Sequence, residues 1–226
     1  MAEHILAMML MHARNMPAFF DAQRGHRWLE GRERPVIREM GGKTLGIIGL
    51  GNIGDEAAQR AHDFGVRVIG TRRTVTPADV AARPAYIDEL LPLSELHTLL
   101  GESDFVLLSL PLTKESRGLL DEAEFNAVKP GAFLINIARG AVVDEPALIQ
   151  ALTAGRLGGA ALDVFEPEPP AAHSPLWDMP NVILTPHISG GSADAGDRYV
   201  DFFIVNLRRF LAGEPLVNVY DPVRGY

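Results

Sequence analysis

The stretch from Lys43 to Gly65 constrains the fold more than any other. It opens on KTLGIIG, an apolar run that is continuous rather than alternating, as in a strand buried on both faces. A turn follows with glycines at 49, 51 and 54, then a helical stretch from about Ile53 to Phe64, stopped by Gly65. Glycines in this spacing are common in turns, but between a buried strand and a helix they have a specific physical reading. Gly49 permits the tight turn, Gly51 lets the backbone approach a pyrophosphate, and Gly54 lets the helix pack closely on the strand. The amides of Asn52 and Ile53 then face the phosphates at the positive end of the helix dipole. Asp55 suits that dipole but would repel a pyrophosphate, so it is expected to point to solvent.

The alternation continues along the chain. VRVIG, FVLLSL (from Phe105), AFLINIA (from Ala132), GAALDVF (from Gly159) and NVILTP (from Asn181) read as further strands. LSELHTLL, DEAEFNAV and EPALIQALTAG read as helices, the last stopped by Gly155. Continuous apolar strands alternating with helices predict an α/β fold with a doubly wound parallel sheet, a Rossmann-type dinucleotide-binding domain. Residues 2–42 read as a Met-rich helix and a polar arm carrying Trp28, and residues 192–213 as one long closing helix stopped by Gly213. PEPPAAHSP, from Pro167, is too rich in proline for a helix or a central strand.

Composition narrows the functions. The chain has no cysteine, which excludes disulfides, thiolate nucleophiles and Cys-ligated zinc and fits a reducing cytoplasm. The histidines show no metal-ligand spacing, so no metal site is expected. A net charge of −8 with scattered basic residues leaves no footprint for nucleic acid. The apolar stretch from Ile5 to Met11 is far too short to span a membrane.

The dinucleotide can be read further. An NAD-preferring domain places an acid about 20 residues past the glycines to bond the ribose 2′-hydroxyl. Here Thr71, Arg72 and Arg73 occupy that place, with no acid among them. Guanidinium groups bind a 2′-phosphate where a carboxylate would repel it, so NADP(H) is expected ahead of NAD(H). The plainer alternative is that the arginines form a solvated strand end.

Five segments appear in one order: GKTLGIIGLGNIG, LPLTKESRGLL, NIARGAVVDEPAL, ALDVFEPEP and NVILTPHISGG. Together they resemble the NAD(P)-binding half of the D-isomer-specific 2-hydroxyacid dehydrogenases, in particular reductases of glyoxylate and hydroxypyruvate. The resemblance implies a catalytic trio of Arg139, Glu168 and His187. The residue types suit the chemistry independently. A planar guanidinium can hold the adjacent carboxylate and carbonyl of a 2-keto acid. A histidine can give a proton to the alkoxide that hydride arrival creates, and a carboxylate can orient it. The resemblance also implies cofactor contacts from Leu110, Pro111, Thr113, Ser116, Ile137, Ala138, Asp163 and Gly190, besides Gly49, Gly51, Asn52, Ile53, Gly54, Arg139 and His187. Asp163 is expected to meet the nicotinamide carboxamide.

By the same resemblance, residues 1–17 form an interdomain and dimer helix, 18–190 the dinucleotide-binding domain, and 191–226 a closing helix and tail belonging to a substrate domain. Members of the family begin with a substrate-binding segment ahead of the first helix, and this chain starts at that helix. A homodimer is expected, with Met8, Met9, Met11 and Trp28 at its interface. Three readings of function stay open: a reductase of a small 2-keto acid, a cofactor-binding fragment without catalysis, and a dehydrogenase-like interaction protein.

Overall fold

The computed structural model describes residues 1–193 and 195–221, so the expected tail at 222–226 lies outside the described residues. The chain divides into two compact units, Met1–Ser189 and Gly190–Tyr226.

The first unit is built on a seven-stranded sheet: β1 (Thr44–Ile48), β2 (Arg67–Arg72), β3 (Glu89–Pro92), β4 (Phe105–Leu108), β5 (Ala132–Asn136), β6 (Leu157–Leu162) and β7 (Val182–Leu184). The order is β3-β2-β1-β4-β5-β6-β7, and every neighbouring pair is parallel. This is the doubly wound sheet that the apolar runs predicted. Successive strand residues serve opposite faces. Ile47, Val68, Leu107 and Phe133 join one buried cluster. Their neighbours Ile48, Ile69, Leu108 and Leu134 join the other. A strand that feeds two cores has no polar face, which explains the continuous runs.

Helices cover both faces: α1 (Ala2–Ala13), α2 (Met16–Arg24), α3 (Asn52–Asp63), α4 (Pro77–Ala81), α5 (Leu96–Glu102), α6 (Glu122–Ala127) and α7 (Glu145–Thr153). Local chemistry sets their starts. Thr76 with Asp79 and Asp121 with Glu124 form capping boxes at α4 and α6, and the Asp144 side chain caps α7. Three elements depart from the sequence reading. β3 carries a proline, which is tolerated because β3 is an edge strand. α2 lies in the segment read as a polar arm and buries only Ala22. α4 is a single capped turn.

α1 lies against α3 and β5. Met8 and Met9, expected at a dimer interface, are buried in the chain's own core beside Ala57, Ala58 and Ala61 of α3. Methionine fills the irregular space over small alanines, so these two face inward. Met11 is half-buried, and Trp28 is 82% exposed.

The second unit holds α8 (Ala195–Leu211), somewhat shorter than the 192–213 expected. Asn206 fixes the following chain to it, donating to the Val217 carbonyl (3.1 Å) and accepting from the Val217 amide (2.9 Å).

At the end of α1, His12 stacks on Phe133 with ring centres 4.0 Å apart and meets Phe105 edge-on. Burial, with the Arg38 charge adding to it, lowers the His12 pKa to about 4. The folded value lies below the ordinary histidine value, so the unfolded chain takes up this proton first. Stability from this site is complete above pH 6.5 and is lost as the pH falls toward 4. Urea unfolding should therefore show ~2–3 kcal/mol less stability at pH 4.5 than at pH 7.5 from this residue. His12→Phe should remove that part of the difference, and equal pH dependence in the two proteins would refute the assignment.

Candidate functional site

The carboxyl ends of the strands converge on the gap where β1 and β4 pair and the chain reverses direction across the sheet, the place where such sheets bind ligands. Gly49 has a φ of +93°, and a side chain there would strike Leu110. A Cβ on Gly54 would stand 3.0 Å from the Gly49 carbonyl, so helix and strand need glycine at that contact. Gly51 differs, because a Cβ there would meet nothing within 4 Å. No protein atom requires that glycine, and its bare face borders open space. Gly51 also caps α3 without a side-chain hydrogen bond, leaving the amides of Asn52 and Ile53 at the helix opening. A cradle with exposed amides and no Cβ fits a pyrophosphate.

Asp55 does not simply face solvent. It is half-buried and accepts a hydrogen bond from the Tyr86 hydroxyl (2.8 Å), which turns its charge toward the β2–β3 connection.

Of the three residues at the end of β2, Thr71 departs from expectation. It is 1% exposed, and its hydroxyl donates to the Ile47 carbonyl (3.3 Å) and accepts from the Gly49 amide (3.4 Å). It braces the glycine turn from below and does not reach a ligand. Arg72 and Arg73 are exposed, and the Arg72 Nε donates to the Leu50 carbonyl at the turn (3.4 Å). The Asp79 carboxyl is held below its ordinary pKa chiefly by hydrogen bonds from Thr76, with Arg72 contributing. Hydrogen bonding to Thr113 does the same for Glu115, with Arg73 among the lesser causes.

In the loop after β4, Ser116 is buried, donating to the Pro111 carbonyl (2.8 Å) and accepting from the Thr113 amide (2.7 Å). Its hydroxyl closes the loop on itself. Thr113 is half-buried in the same knot, Leu110 is half-buried, and Pro111 is exposed.

After β5, Ile137 and Ala138 are buried and Arg139 is exposed. Asn136 organises this loop: its amide group donates to the Arg139 carbonyl (3.1 Å) and its oxygen accepts from the Ala138 amide (3.0 Å).

The structure brings Glu168 and His187 together across the loops after β6 and β7. The His187 Nδ1 donates to Glu168 Oε2 (2.8 Å), and the Phe165 amide donates to Glu168 Oε1 (2.9 Å). The bond from His187, chiefly, holds the Glu168 carboxyl below its ordinary pKa against the opposing effect of burial. The Phe165 amide and the charges of His187 and Arg139 add to it. An ionised Glu168 on Nδ1 leaves Nε2 as the atom that can accept or give a proton. The pair borders a cavity of about 510 Å³ with Phe165, Pro169, Trp177 and Leu184 in its walls.

Asp163 is 1% exposed and accepts from the Thr185 hydroxyl (2.6 Å) and Ile188 amide (2.9 Å) on Oδ1 and from the Ser189 amide (2.8 Å) on Oδ2, with the Ser189 side chain bonded to the carboxylate as well. Its carboxylate holds the His187 loop. Gly190 is the first residue of the second unit. Among the described residues no group of three or more His, Asp or Glu could hold a metal ion, and no helix is long and apolar enough to cross a membrane.

Residues 6–189 match the family model described as D-isomer specific 2-hydroxyacid dehydrogenase, NAD binding domain. The chain belongs to this family. It is 40% identical over 213 residues to a D-3-phosphoglycerate dehydrogenase of Mycobacterium tuberculosis, covering 94% of this chain and 39% of that one. It is also 40% identical over 226 residues to a glyoxylate/hydroxypyruvate reductase B of Pectobacterium carotovorum, covering 98% and 68%. Among solved structures, a D-isomer specific 2-hydroxyacid dehydrogenase of Xanthobacter autotrophicus in complex with NADPH and MES superposes with a TM-score of 0.86. It shares 39% identity, covering 100% of this chain and 88% of that one. The chain therefore spans about two fifths of the first relative's length and about two thirds of the second's.

In this dehydrogenase domain, sequence reasoning passed over Asn136 and Gly140. A polar residue ending the apolar run AFLIN was the available signal for the first. Nothing but the structure reveals the second. A Cβ on Gly140 would stand 2.0 Å from the Phe165 carbonyl carbon and 2.5 Å from the Glu166 nitrogen. The Arg139 loop is thus pressed directly on the backbone that positions Glu168. Because that contact is with main chain and cannot yield, Gly140→Ala should cost ~3 kcal/mol in denaturant unfolding. A cost under ~0.5 kcal/mol would show that the two loops are not in contact.

Proposed function

We propose that this chain is the cofactor-binding part of an NADP(H)-dependent reductase of small 2-keto acids, of the glyoxylate and hydroxypyruvate type. The observation that carries this reading is the Glu168–His187 pair at 2.8 Å, held on the same sheet edge as the open Gly51 cradle and Arg139. Bound NADPH would supply the hydride. The α3 amides at Asn52 and Ile53 would hold its pyrophosphate, and Arg72 with Arg73 its 2′-phosphate. Leu110, Pro111 and Thr113 would flank it, with Ile137 and Ala138 along the nicotinamide. Arg139 would bind the carboxylate and carbonyl oxygen of the 2-keto acid, drawing charge toward the oxygen. Protonated His187 would give its Nε2 proton to that oxygen during reduction, and neutral His187 would take it back during oxidation. Glu168 keeps the imidazole in the tautomer this requires.

Support for the phosphate choice comes from the arginines at the end of β2, and from the NADPH in the similar Xanthobacter structure. The exposed Trp28 and the half-buried Met11 favour a homodimer formed through the first helix and arm, although Met8 and Met9 have no part in it.

Fluorescence titration with both reduced cofactors tests the reading. NADPH should bind at least tenfold tighter than NADH, and Arg72→Ala with Arg73→Ala should abolish the difference. Equal or tighter NADH binding would defeat it. Gly51→Ala should leave stability within about 1 kcal/mol, since no protein atom is struck, yet lower NADPH affinity more than tenfold.

Turnover of glyoxylate or hydroxypyruvate with NADPH separates a reductase from a domain that binds cofactor without catalysis. In an active protein His187→Gln should cost roughly 10²–10⁴ in rate, and a fully active variant would remove His187 from the chemistry.

A further inference from the structure

We propose that Thr185 is a positioning residue that couples the first turn of α1 to the loop presenting His187. The proposal rests on His187 being the proton-transfer residue. It concerns a side chain whose hydroxyl bonds Asp163 and His4 and borders the same cavity as Glu168 and His187.

The segment Thr185–Ser189 is wrapped around Asp163. The His187 amide donates to the Asp163 carbonyl (2.9 Å) and to the Thr185 carbonyl (3.1 Å), while the amides of Ile188 and Ser189 donate to the Asp163 carboxylate. This wrapping holds His187 at a φ of +52°, a left-handed conformation that a histidine rarely adopts and that surrounding bonds must enforce. Two side chains join those backbone bonds: the Ser189 side chain hydrogen-bonds the carboxylate, and the Thr185 hydroxyl, which stands where the loop leaves β7, donates to Asp163 Oδ1 at 2.6 Å. Threonine is stiff about χ1, so the hydroxyl fixes where the loop leaves β7.

The same hydroxyl has a second neighbour, His4 Nε2 on α1, at 3.4 Å. With its proton committed to Asp163, Thr185 can only accept from His4, so His4 must carry hydrogen on Nε2. Three groups from three parts of the chain are thereby joined in one direction, from the α1 imidazole through the hydroxyl to the carboxylate. The His4 pKa lies below its ordinary value, chiefly because the ring is taken out of water, with the nearby Asp163 charge opposing. A displacement of α1 would move the Thr185 hydroxyl, slacken the grip of Asp163 on the loop, and so lengthen the His187–Glu168 bond.

The test uses the ligand-free full chain, so it does not depend on turnover or cofactor binding. The Glu168 carboxyl is followed by carbon NMR through a pH titration, and the Ile188 and Ser189 amides by hydrogen exchange. Thr185→Val keeps shape and removes the hydroxyl. It should raise the Glu168 titration toward the ordinary carboxyl range and speed exchange at both amides about tenfold. Thr185→Ser, which keeps the hydroxyl, should behave as the parent chain. His4→Ala should move the Glu168 titration in the same direction, and His4→Gln, which keeps a donor, should restore it. Should Thr185→Val fail to fold, the His4 pair carries the test.

An unchanged Glu168 titration in Thr185→Val would overturn the positioning role. An unchanged titration in His4→Ala would overturn the coupling to α1. A chain that followed these expectations but bound no NADPH would refute the proposed function and leave this inference standing.

Discussion

The parallel pairing of β1 with β4 is the constraint on which the rest of the structure depends. It places two strands side by side whose following segments leave in opposite directions, and so it opens a cleft at their carboxyl ends. Because the sheet is parallel and covered on both faces, its carboxyl edge is where side chains can meet a ligand without breaking into a core. The glycine turn, Arg139, Glu168 and His187 all stand just past the ends of β1, β5, β6 and β7. None of them lies inside a strand.

A second regularity follows at that edge. At the carboxyl ends of β2, β4, β5, β6 and β7 a polar residue is turned back to hold a loop. Thr71, the penultimate residue of β2, accepts from the Gly49 amide, and Ser109 after β4 donates to the Gly49 carbonyl (2.9 Å). Asn136 at the end of β5 clasps Arg139, Asp163 after β6 clasps the His187 loop, and Thr185 after β7 bonds Asp163. Buried polar atoms must be bonded, and where an apolar strand stops there are free amides and carbonyls to bond. The loops bearing the candidate site are therefore braced from within by groups bonded to neighbouring backbone and side chains. A half-braced loop would leave a carboxylate or amide unsatisfied, so the arrangement resists partial displacement.

This regularity also explains what could be read from the residues alone. The strands were legible because a two-faced core demands uninterrupted apolar runs, whereas the capped start of α4 at Thr76 went unread because the helix is a single turn. β3 escaped notice because ELLP is short and ends in proline, which only an edge position permits. At the site, the pairing of Glu168 with His187 was legible from chemical type and motif order. The facing of Thr71, Ser116 and Asp163 was not. A polar residue at a strand end can serve a ligand or the neighbouring backbone, and spacing cannot distinguish the two. Only the backbone's need for partners decides, and that depends on loops brought from far along the chain.

The electrostatics of the edge run against those of the whole chain. A net charge of −8 would keep anionic substrates and dinucleotides away if charge acted as an average. At physiological ionic strength, however, exposed charges act over roughly 8 Å, so local arrangement outweighs the total. Arg72, Arg73 and Arg139 stand on the carboxyl edge with the open amides of α3. The acid closest to the phosphate cradle, Asp55, is turned onto Tyr86. Glu168, the acid at the candidate catalytic pair, is committed to His187 and the Phe165 amide. Acids at the site are thus committed to hydrogen-bond partners, while its arginines stay exposed. That asymmetry favours an anionic ligand at this edge, and it follows from hydrogen-bond partners rather than from composition.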